Sequence, residues 1–112
     1  MLKRSLVLVC PLLVGACVTD RAPDNLSESA TKGRAFAQAN CASCHALDDS
    51  ISPLPDAPSL RRAANRLPAW AVAGSFERGV QVGHTMQMPA FVFEKDDVAN
   101  LLAYFEALKT RD

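Results

Sequence analysis

Two cysteines and a histidine stand close together at Cys41, Cys44 and His45, in the order C-x-x-C-H. This spacing is typical of covalent haem attachment, in which both thiols bond to the vinyl groups of one porphyrin and the histidine lies beneath the iron. A large apolar group held in this way constrains the fold, because short helices and loops have to enclose it. The sequence therefore predicts one covalent haem c at Cys41 and Cys44, with His45 as an axial ligand.

Other uses of the C-x-x-C pair agree less well with the rest of the chain. A thioredoxin-like redox pair belongs to a βαβ unit, and no strand-like alternation precedes Cys41. A zinc site needs a second pair of ligands, but the other histidine is His84 and the other cysteines, Cys10 and Cys17, lie near the N-terminus. A disulfide between residues so close would be strained. Haem attachment remains the favoured interpretation.

The first residues have the pattern of an export signal. Lys3 and Arg4 form a positively charged start, and the apolar stretch that follows is too short to span a bilayer comfortably. Small residues then precede Cys17, which resembles a bacterial lipoprotein signal, in which that cysteine becomes the lipidated N-terminus. The alternative is an ordinary cleaved signal in which Cys17 is incidental. We expect a signal peptide over 1–16, a lipid-anchored tether over 17–26 and one domain over 27–112.

This pattern predicts a periplasmic protein that is attached to the membrane by lipid on Cys17. Export agrees with the haem motif, because c-type haem is attached outside the cytoplasm in bacteria. The export segment holds two of the 12 lysines and arginines and no acid, so a chain that starts at Cys17 has 10 basic and 12 acidic residues. The resulting net charge of −2 does not indicate a protein that binds nucleic acid, which would carry an excess of basic residues.

Helix-capping residues and prolines predict an all-α domain. Ser27 is a candidate N-cap for a helix that ends near Asn40, directly before the haem motif. Three prolines between 53 and 58 break regular structure and predict a loop around the haem edge. A helical turn or two is expected over 59–66.

Two more helices are predicted in the second half of the chain. Pro68 suits the first position of one helix, and Gly79 suits its C-terminal cap. An extended loop over 80–93 leads to a last helix that starts near Lys95, where acidic residues favour the N-terminus. Its apolar stripe is Val98, Leu101, Leu102, Phe105 and Leu108.

Further motifs resemble a small bacterial monohaem class I cytochrome c over about residues 27–109. Gly33 lies eight residues before Cys41, where this family has the glycine at the crossing of its first and last helices. Three segments are similar to the family's L-x-A-Y, G-P-x-L and M-P-x-F motifs: Leu101-Leu102-Ala103-Tyr104, Ala57-Pro58-Ser59-Leu60 and Met88-Pro89-Ala90-Phe91. The first helix departs from the pattern, because Phe36 rather than Ala37 is aromatic.

The resemblance implies the class I cytochrome c fold, with three to four short helices and long loops wrapped around one covalent haem. It also implies that the carbonyl of Pro58 accepts a hydrogen bond from the ring of His45, which holds the imidazole plane.

The sixth position on the iron has three candidate ligands, His84, Met86 and Met88. Met88 precedes a proline, which favours extended backbone in a loop from which the side chain can reach inward. A methionine opposite the histidine raises the reduction potential, and two histidines would lower it. The resemblance independently selects Met88, so the predicted metal ligands are His45 and Met88, with His84 and Met86 as alternatives.

Several aromatic and basic residues are further candidates for contact with the haem. Candidates for the core or the haem wall are Phe76, Phe91, Phe93 and Trp70. The indole N–H of Trp70 needs a partner when buried, either a haem propionate or a group in ordinary helix packing. Three arginines could neutralise propionates or form a solvated face: Arg61, Arg62 and Arg66.

Together these features predict one-electron transfer between redox partner proteins, such as a dehydrogenase, a cytochrome reductase or an oxidase. No catalytic residue is predicted, because the chain shows no nucleophile or proton-transfer constellation. One alternative is a dedicated haem subunit of a dehydrogenase or terminal oxidase complex. Another is a ligand-binding sensor or peroxidase-like site, which needs an open sixth position and is disfavoured by Met88.

Overall fold

The computed structural model describes residues 22–48, 50–80 and 88–109, and all regular structure in these ranges is helical. The helices are α1 (Glu28–Asn40), α2 (Leu60–Arg66), α3 (Ala69–Glu77) and α4 (Lys95–Leu108). This confirms the predicted all-α class. No helix among the described residues is long and apolar enough to cross a membrane. The predicted signal segment, Cys17, His84 and Met86 lie outside the described residues.

Serine side chains begin the first two helices, and the cap at Ser27 was predicted from the sequence. Ser27 Oγ accepts a hydrogen bond from the backbone N–H of Ala30 at 3.1 Å. Ser59 Oγ does the same for Arg62 at 3.1 Å and starts α2 directly after the proline-rich loop. Each cap pairs a backbone N–H that has no partner inside its own helix.

The third helix differs by one residue from the prediction. Pro68 has an extended backbone, with ψ at 149°, so it is the N-cap and the helix begins at Ala69. Gly79 follows the helix with φ at 86°, a left-handed conformation that glycine adopts without steric cost. Its carbonyl accepts from the N–H of Phe91 at 2.9 Å, which joins the end of α3 to the segment before α4.

Helices α1 and α4 cross in direct backbone contact at Gly33. A Cβ atom on Gly33 would clash with the backbone carbonyl of Asn100, so only glycine permits this approach. Beside the crossing, Ser29 Oγ donates to Asn100 Oδ1 at 2.8 Å. Gly33, which the family resemblance selected, is therefore the point where the first and last helices meet.

The core lies along α4, against which the other three helices all pack. Its buried residues are Leu101, Tyr104, Phe105 and Leu108. Val98 and Leu102, which belong to the predicted stripe, are only partly buried and pack at its edge. Tyr104, which is not part of the predicted stripe, is fully buried.

Replacing Gly33 by alanine is expected to destabilise the domain by about 3 kcal/mol, at the upper end of the usual cost of overpacking. The added methyl meets a backbone carbonyl, which cannot move unless the two helices separate. Chemical denaturation of the haem-loaded protein measures this change.

Gly74→Ala is the matched control within α3. Its new Cβ would lie 2.9 Å from Arg78 Nη1, the mobile end of a long side chain. We expect unchanged stability or a gain of up to about 1 kcal/mol from reduced chain entropy. Equal losses in the two variants would contradict a special role for Gly33.

Candidate functional site

The end of α1 positions the first cysteine of the C-x-x-C-H motif. Cys41 is the C-cap, and its N–H donates to the carbonyl of Ala37 at 2.8 Å. The N–H of His45 donates to the carbonyl of Cys41 at 2.9 Å, which closes a turn over the motif. Cys41 and Cys44 form no disulfide. Burial raises the pKa of the Cys41 thiol, so its surroundings favour an uncharged sulfur such as that of a thioether.

The ring of His45 is oriented by a backbone carbonyl. Its Nδ1 lies 2.7 Å from the carbonyl oxygen of Pro58, which confirms the predicted contact. A carbonyl oxygen can only accept, so Nδ1 carries the proton and Nε2 presents a lone pair. A neutral imidazole held in this tautomer is suited to bind a metal ion through Nε2.

The loop after the motif is held to it by backbone hydrogen bonds. The N–H of Leu60 donates to the carbonyl of Ala46 at 2.8 Å, and the N–H of Leu54 donates to the carbonyl of Cys44 at 3.2 Å. Ser52 Oγ accepts from the N–H of Ala46 at 3.0 Å. These bonds fix the loop that provides the Pro58 carbonyl.

A largely apolar cavity of about 300 Å³ contains all four predicted site residues in its lining. Cys41, Cys44 and His45 line it from the turn after α1, and Met88 lines it from the segment before α4. Met88 is partly buried and packs against the core. The main apolar walls of the cavity are formed by Phe36, Leu54, Leu60, Val72, Phe76, Val80, Phe91, Phe93, Leu101 and Phe105.

One side of the cavity is a group of phenylalanines in contact with each other. The ring centroids of Phe36 and Phe91 are 5.7 Å apart, those of Phe91 and Phe93 are 5.0 Å apart, and those of Phe76 and Phe93 are 5.4 Å apart. Phe76, Phe91 and Phe93 were all predicted for the core or the haem wall. Phe36, the aromatic residue in the unexpected position, completes this wall.

Trp70 was a candidate for the same wall, and this prediction is wrong. Its side chain is 79% exposed and lies outside the cavity. In α3, Val72 and Phe76 face the core, and the helical repeat turns Trp70 away from them. The three arginines also lie outside the cavity lining: Arg61 donates to the carbonyl of Leu108 at 3.3 Å, and Arg62 and Arg66 are exposed.

A buried carboxylate ties the haem-motif segment to both long helices. Asp48 is fully buried, accepts from the Tyr104 hydroxyl at 2.6 Å and forms an ion pair with Arg34 at 2.9 Å. This contact was not predicted from the sequence, because Leu47-Asp48-Asp49-Ser50 has the composition of an exposed turn. The tyrosine of the L-x-A-Y segment was the available signal, since a buried phenol needs a partner.

The protein-family model described as cytochrome c matches residues 30–109. The chain belongs to the cytochrome c family. No curated protein and no solved structure matches the chain. As a small monohaem class I cytochrome c, the protein binds one covalent haem c, and the family's general activity is haem-based electron transfer.

The cavity of this cytochrome c fits such a group. Its walls are mostly apolar, two cysteine sulfurs stand at its side, and an imidazole offers a free lone pair. The hydroxyl of Ser75 is buried in the wall and has no hydrogen-bond partner among the described residues, although buried polar groups are usually paired. The apolar walls, the two cysteines and the imidazole of His45 together make the cavity suitable for haem.

Tyr104→Phe is expected to destabilise the haem-loaded protein by about 2 kcal/mol, the usual range for a buried hydrogen bond to a charged group. The substitution leaves the ring in the core but removes the hydroxyl that donates to Asp48. Urea denaturation measures the change.

Ser29→Ala provides the control, because it also removes a long-range hydrogen bond to α4, in this case from α1. That bond joins two neutral side chains and is only partly buried, so its loss should cost about 1 kcal/mol or less. If Tyr104→Phe lowers the free energy of unfolding less than Ser29→Ala does, the contact with Asp48 is not the stronger of the two.

Proposed function

We propose that this cytochrome c transfers single electrons in the periplasm, with haem bonded to Cys41 and Cys44 and with His45 and Met88 as axial ligands. When bound, haem supplies an iron centre that gains and loses one electron. His45 and Met88 would hold that centre, and the apolar lining of the cavity would limit the access of water to it. The main support is that two separate segments of the chain bring these four side chains to the lining of one apolar cavity.

The backbone around His45 favours a ligand that stays in place. The Pro58 carbonyl, held in its loop, fixes the proton on Nδ1 and thereby orients Nε2. Proline has no N–H, so this residue adds an acceptor without adding a donor that would need a partner. A fixed ligand geometry suits electron transfer, because little has to rearrange when the charge of the site changes.

The sulfur of Met88 suits the second axial position for a different reason. A thioether is soft and uncharged, so it can be buried in the apolar cavity without the cost of desolvating a charge. With both His45 and Met88 as ligands, no position would be left open for an outside molecule, which favours an electron carrier over a ligand-binding sensor.

The same proposal includes the location and the partners. The start of the chain, with Lys3, Arg4 and the small residues before Cys17, supports export and lipid attachment to the membrane. A cytochrome tethered there would exchange electrons with membrane-bound redox proteins. Such a partner is either a member of a respiratory chain or an enzyme of which this protein is the haem subunit.

Met88→Ala is expected to abolish the weak sulfur-to-iron charge-transfer band of the ferric protein in the far red. It should also lower the reduction potential and let carbon monoxide bind the ferrous iron, because the sixth position loses its protein ligand. Absorption spectroscopy and a redox titration measure these changes.

Met86→Ala and His84→Ala are the controls from the same stretch of sequence, and both should keep the band. If the band survives in Met88→Ala and disappears in Met86→Ala, the ligand is the methionine two residues earlier. If the native protein lacks the band and His84→Ala opens the iron, both axial ligands are histidines.

We predict that the mature protein carries lipid on Cys17. It should fractionate with membranes and be released by detergent but not by high salt, because the several acyl chains of a lipoprotein hold firmly. Mass spectrometry of the N-terminal peptide identifies the modification. A soluble periplasmic protein with an unmodified N-terminus would contradict this prediction.

A further inference from the structure

A second apolar cavity lies on the other side of α3. This groove, which we call the Trp70 groove, has a volume of about 350 Å³ and runs between α2, α3 and the C-terminal half of α4. Its walls include Ala64, Leu67, Trp70, Ala73 and Leu102. Its lining is almost entirely carbon. It shares Leu67, Val72 and Phe105 with the haem cavity, whereas Trp70, Ala73 and Leu102 line the groove alone.

The groove exposes residues that folded domains usually cover. Trp70 is 79% exposed and Leu67 is 39% exposed, and both are among the few large hydrophobic residues in the described ranges that face water. Tryptophan has an apolar ring and one polar N–H, so it is enriched where a protein meets the boundary between lipid and water.

The helix that forms one wall of the groove is basic. Helix α2 holds three arginines and no acid in seven residues, although the chain from Cys17 onward has an excess of two acids. Arg61 is held by the carbonyl of Leu108, whereas Arg62 and Arg66 are exposed. Long arginine side chains can reach phosphate groups while the apolar residues beside them meet acyl chains.

The acidic residue at the groove does not cancel this charge. Glu106 lies at the rim and forms an ion pair with Lys109 at 2.6 Å, so this pair is neutral as a unit. Arg62 and Arg66 then supply the net charge of the helix that forms this wall, and Arg66 directly precedes Leu67 in the chain.

We propose that the Trp70 groove and the exposed arginines of α2 form a surface that binds an anionic phospholipid bilayer. The proposal rests on the membrane attachment in the proposed function, and it adds which face of the domain meets the membrane. A second copy of the chain fits less well, because a two-fold contact on this surface would bring the arginines of both copies together.

The expected tether agrees with a surface of modest affinity. Residues 18–27 can span at most about 35 Å, so a lipid on Cys17 would keep the domain near the bilayer. A weak second contact is then sufficient to orient it, because binding becomes intramolecular. Trp70 and Ala73 face the groove, whereas Cys44 and His45 line the haem cavity, so a membrane in the groove leaves the motif uncovered.

The test uses the haem-loaded mature chain, residues 17–112, with Cys17→Ser and exported by a signal that is cleaved without lipid attachment. Binding is measured by co-sedimentation with vesicles, and the haem absorbance reports the bound fraction. We expect binding to vesicles of phosphatidylcholine and phosphatidylglycerol, little binding to pure phosphatidylcholine, and loss of binding at high salt. This protein carries no lipid, so a negative result is distinct from a failure of the Cys17 prediction.

Two variants locate the contact. Trp70→Ala and the double variant Arg62→Glu/Arg66→Glu should each lower the partition coefficient roughly tenfold, since the first removes the apolar anchor and the second reverses the local charge. The matched controls are Val92→Ala, another exposed hydrophobic residue, and Lys32→Glu/Lys95→Glu, which changes the net charge equally elsewhere. Both controls should bind more strongly than the groove variants.

Three results would overturn the proposal. The first is the absence of binding to anionic vesicles, and the second is equal loss of binding in the groove variants and the controls. The third is a concentration-dependent dimer in sedimentation equilibrium that Trp70→Ala abolishes, because this would assign the groove to a second copy of the chain.

Discussion

The close approach of α1 and α4 at Gly33 determines where the functional residues lie. Cys41 follows the last residue of α1, and Met88 lies on the segment that enters α4. The two helices share a backbone contact. This contact fixes the position of the segment that carries Cys41 relative to the segment that carries Met88. Arg34, the residue after Gly33, extends this contact through Asp48 to Tyr104, which joins the haem-motif segment to the same pair of helices.

Charge and apolar surface are separated in this small domain. Asp48 is fully buried but lies outside the lining of the haem cavity, and its charge is balanced by Arg34. The cavity itself is bounded mainly by phenylalanine and aliphatic side chains. An apolar surrounding of this kind influences the reduction potential of a metal site by limiting the access of water. The ion pair thus stabilises the fold without placing its carboxylate in the cavity wall.

Short motifs predicted the fold better than they predicted the surroundings of the site. Ser27 has a role set by local geometry, a helix cap, and such a role is visible in sequence, whereas the role of Gly33 came from the family resemblance. The contact between His45 and Pro58 came from the family resemblance and is present. The exposure of Trp70 was missed, because an isolated tryptophan in an apolar helix gives no sign of which face it occupies.

The partner of Asp48 was missed for a related reason: its contacts come from residues far away in the sequence. Tyr104 and Arg34 reach it only after α1 and α4 have packed together. No local spacing encodes such a meeting of three segments. Propensity and capping rules describe neighbours along the chain, so they identify elements well and long-range polar contacts poorly.

The positions of the proposed haem ligands along the chain also imply an order of assembly. Cys41, Cys44 and His45 lie within a single turn, so the porphyrin can be joined to them before the domain has folded. Met88 reaches the cavity only after a loop of roughly forty residues has closed, which has a larger entropic cost. In the proposed site, local unfolding of one segment would therefore free Met88 from the haem, whereas Cys41, Cys44 and His45 would stay beside it because they lie in a single turn.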